Sequence, residues 1–220
     1  MTRLTHLPLE FLQREPTAPT AEPWLLVLMH GVGSNEQDLF GLAPYVPAHF
    51  HVLSLRAPYP MGVQAHAWFQ FTVDKNGTRH IDVPQERASR ERLEQTLAQA
   101  RQQLGIAPER TVLAGFSQGG IMALSALLTQ PESLRAALVW HSRLLPEVKS
   151  LQAPVEQFVG KSLWISHGTY DNVIPLTSAH IMRDHVQVLP LELDYHEYAS
   201  AHEIRPDELQ ASMQWLGNLR

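Results

Sequence analysis

The sequence contains no cysteine. Without cysteine the chain can form no disulfide bond, can offer no thiolate to a metal ion and can use no thiol as a nucleophile. Cysteine hydrolases and cysteine-based metal sites are therefore excluded.

Long apolar runs and an excess of one charge are also missing. No apolar stretch approaches the roughly 18 to 20 residues needed to cross a bilayer, so we expect no integral membrane association. The formal net charge of -5 gives no electrostatic reason to expect nucleic acid as a partner. Residues 1–8 lack an apolar signal core, which favours a cytoplasmic location.

Internal repeats and low-complexity tracts are absent as well. The most linker-like stretch, residues 15–23, lies too near the N-terminus to separate domains, so we expect one domain spanning residues 1–220. Short apolar runs bounded by glycine, proline or polar residues predict buried strands. These runs are Trp24–Met29, His51–Leu55, Thr111–Ala114, Ala136–Trp140, Ser162–Ile165 and Leu191–Tyr198.

Helical patterns separate most of these strands. One apolar stripe runs from Leu93 to Leu104 and ends at Gly105, and the last helix follows Pro206. This alternation predicts an α/β fold in which a mainly parallel, doubly wound sheet has helices on both faces.

Two further strand features depart from that alternation. The stretch from Leu7 to Leu12 contains a proline, which suits an edge strand. Between Phe69 and Val83, the dipeptide Asn76-Gly77 predicts a β-hairpin with a type I′ turn.

A strand, a G-x-S-x-G pentapeptide and an apolar helical run follow one another at residues 111–128. Ser117 is the serine of this pentapeptide, and small residues at the flanking positions allow it to occupy a sharp strand-to-helix turn. Such a turn exposes the hydroxyl at the positive end of a helix dipole, as a nucleophile requires. The alternative is that Ser117 only caps the helix.

A serine that attacks a carbonyl group also needs backbone N–H groups that stabilise the oxyanion of the tetrahedral intermediate. Gln118, directly after the candidate nucleophile, supplies one, and Val32 in the glycine-containing loop after the first long strand supplies the other. That loop could instead be a plain turn whose Ser34 or Asn35 caps a helix. It lacks the glycine and lysine pattern of a phosphate-binding loop.

The general base is predicted by elimination among the 12 histidines. In a fold with this nucleophile turn, the acid and then the histidine follow the serine, each at the carboxyl end of a strand. His180 and His185 fall in a predicted helix and His196 falls within a strand, whereas His202 follows the last strand. We therefore predict His202 as the base; the alternative is a solvated loop histidine.

The acid is predicted in the same way. Asp171 follows the strand Ser162–Ile165, whereas Asp184 is expected in a helix and Asp194 within a strand. A carboxylate at that place would hold the imidazole in the correct tautomer. The alternative is an aspartate in a polar turn.

Pairs of histidines could also hold a metal ion. His49 with His51, or His196 with His202, could each offer two ligands, but neither pair has a convincing third ligand. We therefore expect no catalytic metal.

Taken together, these motifs resemble the phospholipase/carboxylesterase family, which includes acyl-protein thioesterases and small bacterial carboxylesterases. The resemblance covers nearly the whole chain, and the bacterial carboxylesterase branch is the nearer one. It implies an α/β-hydrolase fold, cofactor-free hydrolysis of esters or thioesters, Trp68 near the substrate, and a possible homodimer. It rests on residues 30–33 with Glu36 and Asp38, on residues 67–69 and 115–120, on His167-Gly168 with Asp171 and Pro175, and on His202.

The substrate is the least constrained part. Too few residues separate Ser117 from Asp171 to hold a cap domain, so we expect an open cleft. No cluster of arginine or lysine marks a site for a polyanionic group. Apolar side chains that could line an acyl groove, or could equally be ordinary core, are Trp68, Leu144, Leu145 and Val173.

Short to medium acyl esters are the first expectation for this small-molecule hydrolase. Lysophospholipid or acyl-thioester cleavage is the second. An enzyme like dienelactone hydrolase would share the fold, but its cysteine nucleophile is absent. An amide or peptide hydrolase could use the same three residues, and a non-enzymatic binding module would be expected to have lost one of them.

Overall fold

The computed structural model describes residues 4–76 and 78–220. Its strands, in chain order, are β1 (Phe11–Arg14), β2 (Trp24–Met29), β3 (Phe50–Leu55), β4 (Tyr59–Gly62), β5 (Ala65–Ala67), β6 (Phe71–Val73), β7 (Arg79–Ile81), β8 (Thr111–Phe116), β9 (Ala136–Trp140), β10 (Ser162–Gly168) and β11 (Glu192–Tyr198). Its α-helices are α1 (Glu36–Phe40), α2 (Val83–Leu104), α3 (Gln118–Thr129), α4 (Pro146–Lys149), α5 (Leu176–Val186) and α6 (Pro206–Gly217).

Seven strands form one sheet in the order β1-β3-β2-β8-β9-β10-β11. All neighbouring pairs are parallel except β1 with β3, which is antiparallel at the edge. The sequence of β2, Trp-Leu-Leu-Val-Leu-Met, is buried along its whole length, as expected for a central strand covered on both faces. The predicted mainly parallel sheet is confirmed.

Helices cover both faces of the sheet. On one face, α2, α3 and α5 bury side chains such as Leu97, Met122 and Met182 in one hydrophobic cluster. On the other face, α1 and α6 bury Leu39 and Leu216 in a second cluster. The doubly wound arrangement is therefore confirmed.

Helix and strand ends largely follow the local sequence signals. The carboxylate of Asp82 accepts the N–H of Gln85 at the start of α2, and Gly105 adopts a left-handed conformation with φ of 66° at its end. The predicted edge strand exists but runs from Phe11 to Arg14, later than predicted. β8 and β10 continue to Phe116 and Gly168, beyond their predicted ends.

The predicted hairpin is present as β6 and β7, with Val73 opposite Arg79. The type I′ turn predicted at Asn76-Gly77 includes Gly77, which lies outside the described residues. A second hairpin, β4 with β5, was not predicted. No helix of the described chain has both the length and the apolar character that crossing a bilayer requires.

Candidate active site

Ser117 lies between β8 and α3 in a conformation that only the surrounding structure can hold. Its φ of 53° and ψ of -114° are unusual for a residue with a side chain. Its N–H donates to Trp140 O at 3.0 Å, and its carbonyl oxygen accepts the Ser142 hydroxyl at 2.7 Å. Its own hydroxyl makes no capping hydrogen bond to α3, which argues against a purely capping role.

Two glycines make this turn possible. A methyl group on Gly115 would overlap with the backbone of Gly119. A methyl group on Gly119 would overlap with the carbonyl oxygen of Met29 at the end of β2. The flanking glycines therefore allow strand and helix to meet closely enough to position Ser117 above the sheet edge.

Asp171 lies in the turn that follows β10, with its side chain buried. Its Oδ1 accepts the N–H groups of Val173 and Ile174, both at 2.8 Å, and its Oδ2 accepts Nδ1–H of His202 at 2.6 Å. Burial raises the pKa of this carboxyl, but the hydrogen bonds from His202 and the two N–H groups outweigh it, so the pKa lies below its ordinary value. Asp171 is therefore held as a carboxylate.

His202 lies in the loop after β11, and its ring centroid is 4.8 Å from that of Phe116, the residue before Ser117. Because Nδ1 donates to Asp171, Nε2 carries the free lone pair. Within the described residues Nε2 has no hydrogen-bond partner. The structure thus brings Ser117, Asp171 and His202 to the carboxyl ends of β8, β10 and β11.

The candidate oxyanion loop lies against Ser117. A side chain at Gly31 would come within 3.4 Å of Ser117 Cβ. Val32, next in this loop, is 36% exposed, whereas the N–H of Gly33 is already bonded to His66 O at 2.8 Å. Gln118 is the first residue of α3, where the helix leaves backbone N–H groups without intrahelical acceptors.

Helix α1 holds this loop from its other end. Asn35 caps α1, as one alternative predicted, because its side-chain oxygen accepts the N–H of Gln37 at 2.9 Å. The carboxylate of Glu36 accepts two hydrogen bonds from Arg56 at 2.6 Å, and these hold the pKa of Glu36 below its usual range. Capping and an oxyanion role for this loop are compatible.

A sequence profile of the family described as phospholipase/carboxylesterase matches residues 16–219. The chain belongs to the phospholipase/carboxylesterase family. The predicted resemblance is thereby confirmed, and so is the expectation of an esterase-type hydrolase at the level of this family.

Two members of the phospholipase/carboxylesterase family and one solved structure show how far the similarity extends. Esterase YpfH of Escherichia coli K12 is 29% identical over 178 residues, 77% of this chain and 70% of the relative. A probable carboxylesterase of Oryza sativa subsp. japonica is 31% identical over 117 residues, which span 52% of this chain but only 43% of that relative. The crystal structure of the Bacillus cereus carboxylesterase superposes with a TM-score of 0.83 at 21% identity, covering 96% of this chain and 95% of the other. This likeness shows that the fold is the α/β-hydrolase fold.

Three buried residues around Asp171 were not among the predicted site residues. His141 and His167 each place a ring nitrogen 3.5 Å from Asp171 Oδ2. His167 Nε2 donates to Ile174 O at 2.8 Å, which closes the turn that holds Asp171. His141 Nδ1 accepts the N–H of Gly168 at 3.3 Å, so its Nε2–H donates to the third residue, Glu208, at 3.1 Å.

This network ties the Asp171 turn to the start of α6. Glu208 also accepts the N–H of Arg205 at 3.2 Å, directly after the His202 loop. His141 itself has φ of 47°, a conformation uncommon for a residue with a side chain. The position of His141 directly after β9 was a usable sequence signal, because strand ends collect site residues. Nothing in the sequence pointed to Glu208 on α6.

One group of side chains in the described chain could hold a metal ion, and it is neither of the histidine pairs considered from the sequence. His141, Asp171 and His202 each bring one ligand atom, and these atoms lie within 4.8 Å of one another. An ion there would displace the proton shared by His202 and Asp171, so metal binding and proton transfer through this pair exclude one another. His196 instead stacks on Trp164 with ring centroids 4.0 Å apart.

The four predicted substrate contacts differ in exposure. Trp68 and Leu145 are 0% and 1% exposed, and the Trp68 indole N–H donates to His30 O at 3.0 Å. Leu144 is 7% exposed, whereas Val173 is 43% exposed. Only Val173 offers much surface to a ligand in this structure, and Trp68 instead braces the loop that begins at His30.

Two grooves, both lined in part by the β6–β7 hairpin, lie next to loops of the candidate site. One, of about 880 Å³, is lined by Val32, Phe69 and Phe71 and extends from the candidate oxyanion loop. The other, of about 570 Å³, is lined by Val173 and its neighbours, by residues of β7 and by the segment after β9. Ile81 of β7 lines both grooves.

Three buried histidines predict a pH dependence of stability. Burial lowers the pKa values of His30, His51 and His167, so they stay neutral in the folded protein where the unfolded chain takes up protons. The free energy of unfolding should therefore fall as the pH drops below about 6.5, by up to about 1.4 kcal/mol per pH unit for each histidine. Urea unfolding between about pH 5 and pH 8 measures this slope.

A matched pair of variants tests the assignment. His51→Gln removes one buried titrating group, so its slope below about pH 6.5 should be shallower by up to about 1.4 kcal/mol per pH unit. His6→Gln changes an exposed histidine and should keep the full slope. Equal slopes for the parent protein and His51→Gln would contradict the prediction.

Proposed function

We propose that the protein is a serine carboxylesterase that hydrolyses short to medium acyl esters through Ser117, His202 and Asp171. The observation that carries the proposal is the 2.6 Å hydrogen bond from His202 Nδ1 to Asp171, formed beside a serine whose hydroxyl does not cap its helix. Membership of the phospholipase/carboxylesterase family supports the same chemistry.

In the first half-reaction, His202 Nε2 takes the hydroxyl proton of Ser117 as its Oγ attacks the ester carbonyl. Asp171 stabilises the imidazolium that forms. The N–H groups of Val32 and Gln118 stabilise the negative oxygen of the tetrahedral intermediate. His202 then passes its proton to the leaving alcohol, and an acyl-enzyme remains on Ser117.

The second half-reaction hydrolyses the acyl-enzyme and regenerates the free enzyme. Water donates a proton to His202 Nε2 as its oxygen attacks the acyl-enzyme, and His202 returns that proton to Ser117 Oγ as the carboxylic acid leaves. The groove of about 880 Å³ beside Val32 is a suitable place for an acyl chain, because its lining includes Phe69, Phe71 and Met61. A cytoplasmic location, a single domain and a homodimer stay predictions.

Fluorophosphonate labelling tests the nucleophile. The native protein should be labelled on one peptide, the one containing Ser117, and Ser117→Ala should take up no label. Ser125→Ala, which changes a buried serine of α3, serves as the control and should be labelled like the native protein. Equal labelling of Ser117→Ala and the native protein would refute the assignment.

A panel of esters and thioesters of rising acyl length tests the reaction. Turnover that is lost in His202→Ala and unchanged by a chelator supports the proposal. A preference for long acyl chains or for thioesters would move it to lysophospholipase or acyl-thioesterase activity. Activity that needs added Zn²⁺ would favour the metal arrangement of His141, Asp171 and His202 instead.

A further inference from the structure

The second groove, of about 570 Å³, contains two arginines that were far apart in the sequence. Arg79 comes from β7, and Arg143 comes from the segment after β9. The first turn of α5 lines the same groove through Ser178, and Glu147 is the one acidic residue among the described residues that line the groove. The expectation that no basic cluster exists is therefore corrected, because the fold assembles one from distant segments.

Of the two arginines, Arg143 has the more unusual surroundings. Its side chain is half-buried, yet no described carboxylate lies within ion-pair distance and no described residue accepts a hydrogen bond from it. Burial lowers its pKa, and the nearby charge of Arg79 lowers it further, whereas Glu147 acts in the opposite direction. Arg143 is partly desolvated and lies near the like charge of Arg79. An anion that binds both guanidinium groups would therefore stabilise the pair.

Arg79 is held in place by its own contacts. Its Nη2 donates to Val173 O at 3.0 Å, and its guanidinium carbon lies 5.3 Å from the centroid of the Phe71 ring. These contacts use one of its five N–H donors and restrain the side chain. The remaining donors have no hydrogen-bond partner among the described residues, so a ligand can bind them at little further cost in side-chain entropy.

Two segments that line this groove directly follow residues of the candidate site. Asn172 and Val173, which line it, directly follow Asp171. Arg143 directly follows Ser142, whose hydroxyl donates to Ser117 O at 2.7 Å. The apolar groove beside Val32 and the groove with the two arginines therefore both border loops that hold the candidate catalytic residues.

We propose that the groove containing Arg79 and Arg143 binds an anionic group of the substrate, a carboxylate or a phosphate, so that the preferred substrates are esters carrying a second, negatively charged group. The expected substrate preference rests on the proposed esterase function, whereas anion binding in the groove does not.

Kinetics with matched esters test the preference. The 4-nitrophenyl monoester of glutarate and 4-nitrophenyl 4-phosphonobutanoate carry an anion, and 4-nitrophenyl pentanoate is the neutral counterpart. We expect Arg143→Gln to lower kcat/KM for at least one anionic ester by about 10- to 100-fold while changing the neutral ester less than about 2-fold. Arg79→Gln should act in the same direction, and the relative loss on the two anionic esters identifies the preferred group.

Arg87→Gln is the matched control, because Arg87 is exposed on α2 and lies outside the groove while the change in net charge is the same. It should leave the ratio of anionic to neutral turnover unchanged. Added salt should reduce the preference of the native protein, as expected for partly exposed charges. An identical ratio for native protein and both groove variants, with their thermal unfolding unchanged, would overturn the proposal.

Direct binding separates this proposal from the esterase proposal. Ser117→Ala is titrated calorimetrically with glutarate and with inorganic phosphate, and so is Ser117→Ala combined with Arg143→Gln. Arg143-dependent binding without hydrolysis of any ester would refute the esterase function and keep the anion site. Hydrolysis with neither Arg143-dependent binding nor a changed substrate ratio would refute the anion site alone.

Discussion

Asp171→Asn is expected to lower kcat by about 10⁴-fold while leaving the fold intact. The asparagine oxygen can replace Oδ1 and accept the N–H groups of Val173 and Ile174, which are bonded at 2.8 Å. Its NH2 group then takes the place of Oδ2 and faces Nδ1 of His202, where it can only donate. His202 must respond by carrying its proton on Nε2, and in that tautomer it cannot accept the proton of Ser117.

Steady-state hydrolysis of a 4-nitrophenyl ester measures this loss, and thermal unfolding confirms that the variant is folded. Asp184→Asn is the matched control, since Asp184 is exposed on α5 and its one ion pair among the described residues is with its neighbour Arg183. It should retain the native rate within about 2-fold, as surface changes usually do. A rate for Asp171→Asn within about 10-fold of native would contradict the role of Asp171 in orienting His202.

The sequence could place Asp171 and His202 near Ser117 because of a rule of the fold and not because of local patterns. Parallel strands end at one edge, so residues that follow separate strands meet there. Asp184, Asp194 and His196 could be set aside from secondary structure alone. The structure places each of them where it was expected, in α5 or within β11.

The rest of the site depends on packing, which periodicity does not encode. His141 and Glu208 meet only because β9 and the start of α6 adjoin, and Arg79 meets Arg143 only because the β6–β7 hairpin folds over the Asp171 turn. Trp68 was expected near the substrate, yet its side chain is fully buried. An aromatic residue has the same sequence signature in a pocket wall and in a core.

Gly119→Ala is expected to destabilise the folded protein by at least about 3 kcal/mol, because overpacking against a rigid backbone leaves no side chain free to move aside. The new methyl group would overlap with Met29 O and would lie 2.7 Å from His30 O. To relieve this overlap, α3 must shift away from β2, and that shift displaces Ser117 from the candidate oxyanion loop.

Gly217→Ala is the control, because Gly217 ends α6 and its added methyl group would meet Pro47 Cγ at an ordinary 3.6 Å. Its stability should stay within about 1 kcal/mol of native, since alanine suits a helix better than glycine. Urea unfolding of both variants, read beside fluorophosphonate labelling, compares the two effects. The prediction is wrong if Gly119→Ala unfolds at the same urea concentration as the native protein and reacts with the fluorophosphonate at the same rate. In that case the close approach of α3 to β2 does not depend on Gly119.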